Sequence, residues 1–257
     1  MNKNKIFVAL LVLSAGCSQS LLSLEMAVDA GVAVEHTDNA NKSKTNTVSE
    51  LQSKAYADFS LQHGGAELTA EMGYRAEYTH YDKDSQDNDT TLEGDALLVY
   101  KQIENTLTWT LKNSRRNVLK DKTLNDLQGN REDRSISSIA PKLTLKPSGR
   151  DSIIIDASYT DIQYDDSDQQ DSDRVGAGVL WLHNLSAVDA FSAQLQYQDV
   201  SFDKSPTNND YEYYLATIGY QATLSRLSYS VNAGVNQSKR KADDYDGYYF
   251  NGNFDYK

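Results

Sequence analysis

The chain has 257 residues, with 37 acidic against 25 basic side chains, a net charge of -12 and a mean hydropathy of -0.63. The negative charge disfavours nucleic acid as a partner, because the phosphate backbone would be repelled. The low hydropathy argues against helical membrane spans but not against a membrane β-barrel, in which half of every strand faces a polar lumen. Seventeen tyrosines and only three prolines favour long paired strands.

The N-terminal segment 1–26 is predicted to be a cleaved secretory signal. Two lysines near its start supply a positive region, and the apolar run 6–16 is too short to span a bilayer. Small residues follow this run, so cleavage is expected between Ser20 and Ala27. The mature domain then covers 27–257 and belongs to the bacterial envelope.

Cys17 is the only cysteine in the chain and leaves a second cleavage mode open. The sequence Leu13-Ser14-Ala15-Gly16-Cys17 resembles a lipoprotein cleavage box, although Ser14 stands where such boxes usually carry an aliphatic residue. If ordinary cleavage occurs later, the mature protein has no cysteine. A closed β-sheet needs none, because backbone pairing holds it together.

The clearest structural signal is a period-two alternation between Ala66 and Tyr81. One parity carries mainly apolar side chains and the other mainly polar ones, which a strand sorts onto two faces and a helix would scatter. The run is too long for an average soluble strand and suits a tilted membrane-spanning one. The same pattern predicts twelve antiparallel strands, near 28–37, 50–62, 65–81, 91–102, 105–114, 135–146, 151–164, 173–183, 190–202, 210–222, 226–238 and 246–256. The predicted fold is therefore an all-β, up-and-down transmembrane barrel.

The connections between these strands alternate between long polar segments and tight turns. Long links are expected at 38–47, 82–90, 115–134, 165–172, 203–209 and 239–245. Short periplasmic turns and longer outer loops are typical of bacterial outer-membrane barrels. This pattern places the N-terminus in the periplasm and the long loops outside the cell, with outer-membrane lipid and the barrel-assembly machinery as partners. The alternative is a soluble β-sandwich, whose strands would be shorter and whose loop lengths would alternate less regularly.

Linear motifs for chemistry are absent from the sequence. The four histidines have no metal-ligand spacing and no serine or aspartate placed as in a catalytic triad. We therefore expect no enzymatic activity, no catalytic residues, no metal and no cofactor. The acidic segments 82–89 and 165–173 carry oxygen ligands of the kind that Ca²⁺ uses, but neither has EF-hand spacing, and a solvated loop is the simpler interpretation.

The longest predicted loop, 115–134, is a basic segment in an otherwise acidic chain. We expect it to fold partly over the pore and either bind an anionic polymer such as a polysaccharide or restrict passage. The competing interpretation is an exposed loop with ordinary ion pairs. The candidate ligand-binding residues are Arg115, Arg116, Arg131 and Arg134. The polar side chains expected to face the lumen are Glu67, Glu71, Arg75 and Glu77, together with Glu93 and Asp95.

Two regions resemble a known family. The sequence Glu35-His36-Thr37-Asp38-Asn39 is similar to the family's E-x-T-D-N pattern; Asn130-Arg131, Ile139-Ala140-Pro141 and a following strand rich in Tyr and Asp resemble its middle section. The family comprises outer-membrane β-barrel proteins found with exopolysaccharide gene clusters, often in PEP-CTERM/exosortase systems. The resemblance covers most of the mature chain and implies a role beside polysaccharide export or surface display, without supplying catalytic residues. Thr37, Asp38 and Asn39 are expected to shape the first outer turn.

The chain departs from this family at its end, where Lys257 follows Tyr256 and family members continue through further strands. We expect either a compact twelve-stranded member or a truncated barrel, whose open edges lipid could not satisfy. Three functions are consistent with these patterns. They are a non-enzymatic barrel for exopolysaccharide export or envelope organisation, a general diffusion porin for small solutes, and a surface adhesin or structural barrel.

Overall fold

The computed structural model describes residues 24–42, 47–204, 210–241 and 243–256. Strands dominate these residues, with two short 3₁₀ segments at Gln128–Asn130 and Asp168–Gln170. Among the residues described, no helix is long and apolar enough to cross a membrane. The signal segment predicted at 1–26 falls mostly outside the described residues, and its cleavage and the lipidation of Cys17 stay predictions.

The twelve predicted strands are confirmed in number and order, and their bounds agree to within about five residues. They are β1 (Leu24–Thr37), β2 (Glu50–Gly64), β3 (Leu68–Tyr81), β4 (Asp89–Ile103), β5 (Leu107–Leu119), β6 (Arg131–Leu145), β7 (Asp151–Tyr164), β8 (Ser172–Asn184), β9 (Asp189–Phe202), β10 (Tyr211–Thr223), β11 (Leu227–Arg240) and β12 (Asp244–Tyr256). β1 begins at Leu24, before the predicted strand start, because Leu24 to Met26 pair with β2.

All twelve strands form one antiparallel sheet in which each strand pairs with its neighbours in the chain, in the order β1 to β12. This up-and-down topology confirms the predicted fold class, and a single sheet leaves no second layer for a soluble sandwich. The predicted closure is not formed in this structure. Among the described residues, β1 pairs with β2 alone and β12 with β11 alone, so these two strands form the edges of the sheet.

The registers sort the side chains onto two unlike faces, because directly opposite residues of an antiparallel pair share a face. In β3, Met72 and Tyr74 point to one side, which we call the apolar face. Glu71 and Arg75 point to the other side, the polar face. A register shift between Lys101 and Ile103 in β4 returns Ile103 to the apolar face opposite Leu107.

Exposed large apolar side chains lie on every strand of the sheet except β5. Of the exposed large apolar side chains in the described strands, every one except Tyr245 lies on the apolar face. Tyr248 is 94% exposed and Val32 is 83% exposed. A single sheet has no second layer to cover such a surface, so the molecule as described has no extensive buried core.

The long and short connections lie at opposite ends of the sheet, as expected from the antiparallel order. The long ones are 38–49, 82–88, 120–130, 165–171 and 203–210, and the short ones are 65–67, 104–106, 146–150, 185–188 and 224–226. The alternation is thus confirmed with one correction. The last link was predicted to be long at 239–245, but it is only 241–243, because β11 and β12 continue their pairing to Lys239 and Asp244.

Candidate functional site

The polar face of β1 to β5 carries a cluster of charged side chains around a cavity of about 410 Å³. We call this cluster the charged wall. Its members are Asp29 on β1, Asp58 on β2, Arg75 on β3, Glu93 and Asp95 on β4, and Arg116 on β5. Alternation along each strand places every one of these side chains on the same face. Four carboxylates therefore meet two guanidinium groups.

The two arginines of the charged wall are held by cross-strand ion pairs. Arg75 binds Asp58 through two hydrogen bonds, from Nε and from a terminal nitrogen, each 2.7 Å long. Its guanidinium also lies 4.7 Å from the centre of the Tyr56 ring. Arg116 donates to the Asp95 carboxylate. Asp29 lies opposite Asp58 but makes no hydrogen bond or ion pair with any described residue, so its carboxylate stays available to solvent or solute.

The charged wall includes a local opening of the sheet. The paired register of β4 and β5 ends at Gly94 and Arg115, although both strands continue. Side chains then replace the missing ladder bonds. Arg116 donates to the carbonyls of Gly94 and Arg115 at 2.8 Å each, and the Glu93 carboxylate accepts the Asn117 amide at 2.8 Å. Backbone groups left by the opening are thereby satisfied, and the Glu93 and Arg116 side chains are fixed in place.

Gly94 permits the close approach of β3 and β4 at this point. A Cβ atom at Gly94 would lie 2.2 Å from the carbonyl oxygen of Gly73 and 2.5 Å from the Tyr74 ring. No side chain fits in that space without a shift of the backbone. At Gly73, by contrast, an added Cβ meets nothing within 4 Å. Gly94 is therefore required by packing, whereas Gly73 is not.

The polar face of β9 to β11 has a different chemistry, dominated by amides, and we call it the amide wall. Its defining members are Gln194, Gln196, Gln198, Asn232 and Asn236. Asn236 donates to the Tyr213 hydroxyl at 3.4 Å. Along these three strands, the only Asp, Glu, Lys or Arg side chain on the polar face is Arg240, at the loop end. The polar face thus has a charged side and a neutral hydrogen-bonding side.

The four arginines predicted to sit in one long loop lie on strands instead. Arg115 and Arg116 belong to β5, and Arg131 and Arg134 belong to β6. The loop prediction was wrong because pairing continues to Leu119 opposite Arg131, which shortens the link to 120–130. The arginines do not come together as one cluster, since adjacent residues of a strand point to opposite faces.

Each of these arginines has its own surroundings. Arg115 lies on the apolar face at the loop end and pairs with Asp133 at 2.8 Å. Arg131 donates to Asp126. Arg134 lies on the polar face directly opposite Arg116 and is half-buried, and its side chain makes no hydrogen bond or ion pair with any described residue. Of the predicted ligand-binding set, Arg116 and Arg134 are therefore the two that face the same side as the charged wall.

The predicted lumen-facing residues share the polar face with one exception. Glu71, Arg75 and Glu77 alternate along β3 on that face, and Glu77 lies 3.9 Å from Lys54. Glu67 lies in the short turn 65–67, outside the strand. The sequence pattern did not single out Asp29 or Asp58. Both fall in segments rich in apolar residues, and the available signal was their parity within the alternation.

The long loops are bonded to one another above the sheet. The Gln128 amide donates to the Gln86 side chain at 2.8 Å, and the Gln86 side chain donates to the Ala40 carbonyl at 3.1 Å. Lys120 pairs with Asp166 at 2.6 Å. Asn39 donates to the Thr37 hydroxyl oxygen at 3.2 Å, in keeping with the expected role of these residues in the turn after β1. The loops 38–49, 82–88, 120–130 and 165–171 therefore form a connected rim.

Asp126 is the ionic centre of this rim. It accepts a hydrogen bond from Arg131, and its second oxygen lies 3.4 Å from the Lys42 ammonium group. The Arg131 hydrogen bond, assisted by Lys42, lowers the pKa of Asp126 to about 2. Asn125 also donates to the Lys42 carbonyl at 3.2 Å. The loop 120–130 is consequently tied to the loop 38–49 rather than free to fold across the polar face.

The ligand-type side chains of the described residues do not come together as a metal site. Within the described ranges, no group of three or more His, Cys, Asp or Glu side chains is arranged to hold a metal ion. The acidic loop 165–171 instead uses its backbone amides as donors to Glu132.

Fold and site together define the class as an up-and-down antiparallel sheet with the two-faced pattern of a β-barrel wall.

Comparison with known proteins gives distant matches among solved structures. No family model and no curated protein matches the chain. Solved structures that match include a loop-L8 deletion mutant of OmpT, an outer membrane protein of Vibrio cholerae, at 9% identity and a TM-score of 0.45, over 91% of this chain and 100% of that one. A Pseudomonas aeruginosa FadL homologue matches at 10% identity and a TM-score of 0.39, over 85% and 67%.

An outer membrane channel from Pseudomonas putida F1 matches at 13% identity and a TM-score of 0.39, over 92% of this chain and 94% of that one. Likeness at this level supports no functional inference. None of the three structures links the chain to exopolysaccharide or exosortase systems.

Proposed function

We propose that the chain is an outer-membrane β-barrel whose apolar face contacts lipid and whose polar face lines a water-filled passage. The observation that carries this proposal is the confinement of exposed large apolar strand residues to one face, with Tyr245 as the exception. Soluble proteins rarely expose apolar patches of that extent, whereas lipid covers such a face. Strands of 13 to 15 residues also exceed the about 9–11 that a tilted membrane strand needs.

Fractionation tests the membrane assignment. The protein should be recovered from outer membranes and should migrate differently in SDS gels before and after boiling, because a folded barrel resists SDS. Recovery in the periplasmic or extracellular fraction, without a heat-dependent shift, would contradict the proposal. Protease added to intact cells should cut in loops such as 38–49 and leave the turns 104–106 and 185–188 intact, which tests the predicted orientation.

The passage conducts small polar solutes and prefers cations. The charged wall holds four carboxylates against two guanidinium groups, both of which are already paired. Charged side chains lining a pore set its ion preference, because their field concentrates ions of opposite sign. Asp29 carries the most direct influence, since no described residue neutralises it.

Reversal potentials in planar bilayers under a KCl gradient test this preference. Asp29→Asn removes an unpaired carboxylate and should weaken cation preference without breaking an ion pair. Arg75→Gln leaves the Asp58 carboxylate unpaired and should strengthen the cation preference. Glu104→Gln, in an exposed short turn, is the matched control and should leave the cation preference unchanged. Absence of conductance would contradict the passage, and unchanged reversal potentials in both variants would contradict the role of the charged wall.

The second candidate function is passage of a polysaccharide, in keeping with the family resemblance in the sequence. The amide wall favours it, because amide groups both donate and accept hydrogen bonds and thus match sugar hydroxyls without charge. Tyr213 adds a ring with a polar tip beside Asn236. Neutral oligosaccharides added to the conducting protein should block its current, and replacing Gln194 and Gln196 by Ala should relieve the block. If oligosaccharides do not change the conductance, polysaccharide passage is contradicted and small-solute passage is the function that stays.

A further inference from the structure

The outer edges of β1 and β12 carry backbone N–H and C=O groups that no described strand pairs. Both strands are exposed on either face over nearly their whole length, and one ladder of backbone donors and acceptors on each has no strand partner. Lipid cannot satisfy such groups, so a membrane form must pair them. In an up-and-down sheet of even strand number, the first and last strands run antiparallel and can pair with each other.

The eleven existing registers determine how far β12 is displaced from β1. Following opposite residues from strand to strand, starting at Leu24, gives His63, Ala70, Leu98, Leu111, Ile139, Tyr159, Val175, Asp199, Glu212, Lys239 and Asp244. Leu24 is at the turn end of β1, and Asp244 is at the loop end of β12. Pairing the two strands over their length therefore needs a stagger of nearly one whole strand.

That stagger is what a closed barrel of twelve strands requires. Strands about 4.8 Å apart, with a rise of about 3.3 Å per residue and a tilt of about 35–45°, need a shear of roughly 12 to 17 residues. Only even values keep apolar and polar faces continuous, because side chains alternate along a strand. The candidates are thus 12, 14 and 16, in which Val32 lies opposite Tyr248, Phe250 or Gly252.

The polar face separates the register of shear 16 from that of shear 14. A shear of 16 places Asp255 opposite Asp29, so that two carboxylates face each other, which is destabilising. A shear of 14 places Asp255 opposite Ala27 and Asn253 opposite Asp29. This register corresponds to a tilt of about 39°, within the usual range.

The apolar face favours the same register. A shear of 14 sets Val28 opposite Phe254 and Val32 opposite Phe250, and it sets Val34 opposite Tyr248. Pairs of a β-branched and an aromatic residue are among the favourable cross-strand pairs. A shear of 16 retains two such pairs and a shear of 12 retains one. We propose that β1 and β12 pair with each other in the membrane with Val32 opposite Phe250, which closes the sheet into a twelve-stranded barrel of shear 14.

Disulfide formation measures this register directly, because adjacent cross-strand Cα atoms lie within disulfide range and positions two residues away do not. Val32→Cys is combined in turn with Tyr248→Cys, Phe250→Cys and Gly252→Cys, which report shears of 12, 14 and 16. The protein is oxidised in outer membranes, and mass spectrometry identifies the linked peptides. The Phe250 combination should crosslink within one chain at least about tenfold faster than the other two.

Faster crosslinking at Tyr248 or Gly252 would overturn the register, and crosslinks between two chains would assign the edges to a second copy. The inference rests on the proposed membrane barrel, but its failure is distinguishable. Heat-dependent mobility and conductance of the unmodified chain test the barrel, and each single-cysteine variant must retain both. A protein that conducts but forms no crosslink at any of the three positions would refute the β1–β12 pairing alone.

Discussion

The buried carboxylate of Glu132 anchors the loop 165–171 to the end of the sheet. Its side chain is 4% exposed and accepts the Ser167 amide at 2.8 Å and the Asp166 amide at 3.2 Å, while its other oxygen accepts the Ser167 hydroxyl at 2.7 Å. Glu132→Ala leaves three donors without this acceptor. Since a buried unpaired donor costs about 1–3 kcal/mol and water can reach part of the loop, we expect a loss of about 2–4 kcal/mol in unfolding free energy. Glu132→Gln retains an acceptor without the charge and should lose about 1 kcal/mol.

Urea unfolding of the purified protein in detergent, followed by the fluorescence of Trp109 and Trp181, measures both losses. Limited proteolysis of loop 165–171 reports the local effect, which should exceed any effect on the loop 82–88. Glu104→Ala is the control, because Glu104 is exposed in a short turn. The reasoning fails if Glu132→Ala is within about 0.5 kcal/mol of this control, or if the Ala and Gln variants lose the same stability.

Two further predictions concern the rim and the opening in the sheet. The Arg131 hydrogen bond lowers the pKa of Asp126 to about 2. The stability that this bond gives the folded protein is therefore present above the carboxyl pKa of the unfolded chain, ~4, and is lost as pH falls toward 2. Protease should cut loop 120–130 faster at pH 3 than at pH 6, and equal protection at both would contradict the ionic tie. Gly94→Ala should lower the urea midpoint, because its Cβ would meet the Gly73 carbonyl, and overpacking of this kind costs about 1–3 kcal/mol. Gly73→Ala, which meets nothing, should change little, and equal effects of the two would refute the packing requirement.

The sequence predicts strands better than it predicts where they end. Period-two alternation identifies all twelve strands, since one face must be apolar along each of them. The alternation fails at Arg115 to Leu119 and at Arg131 to Arg134, where charged residues occupy both faces of the paired strand ends. Those charges are matched by partners such as Asp133 and Asp126, which only the register and the loop path bring near. The sequence pattern therefore predicts a loop where the structure has two charged strand ends.

The candidate site illustrates a different limit. Parity alone places Glu71 and Arg75 on the polar face, but it does not indicate which charges neutralise one another. Asp58 is paired with Arg75 and Asp29 is not, although both carboxylates occupy equivalent positions in the alternation. That distinction depends on the register between three strands. It decides which residue to change in a conductance experiment.

The proposed closure at shear 14 would give the charge distribution a function that the open sheet lacks. In a ring of twelve strands β2 lies across the lumen from β8, so Asp58 and the acidic strands face the Arg174 side of the barrel. Arg174 is on the polar face, opposite Thr160, and makes no hydrogen bond or ion pair with any described residue. Such a barrel is about 24 Å across its backbone, and side chains narrow it to a gap comparable with the ~10 Å screening length of salt water. The fields of the two sides then overlap across the passage. Arg174→Gln should accordingly strengthen cation preference in the same bilayer assay, and an unchanged reversal potential would place Arg174 away from the conducting path.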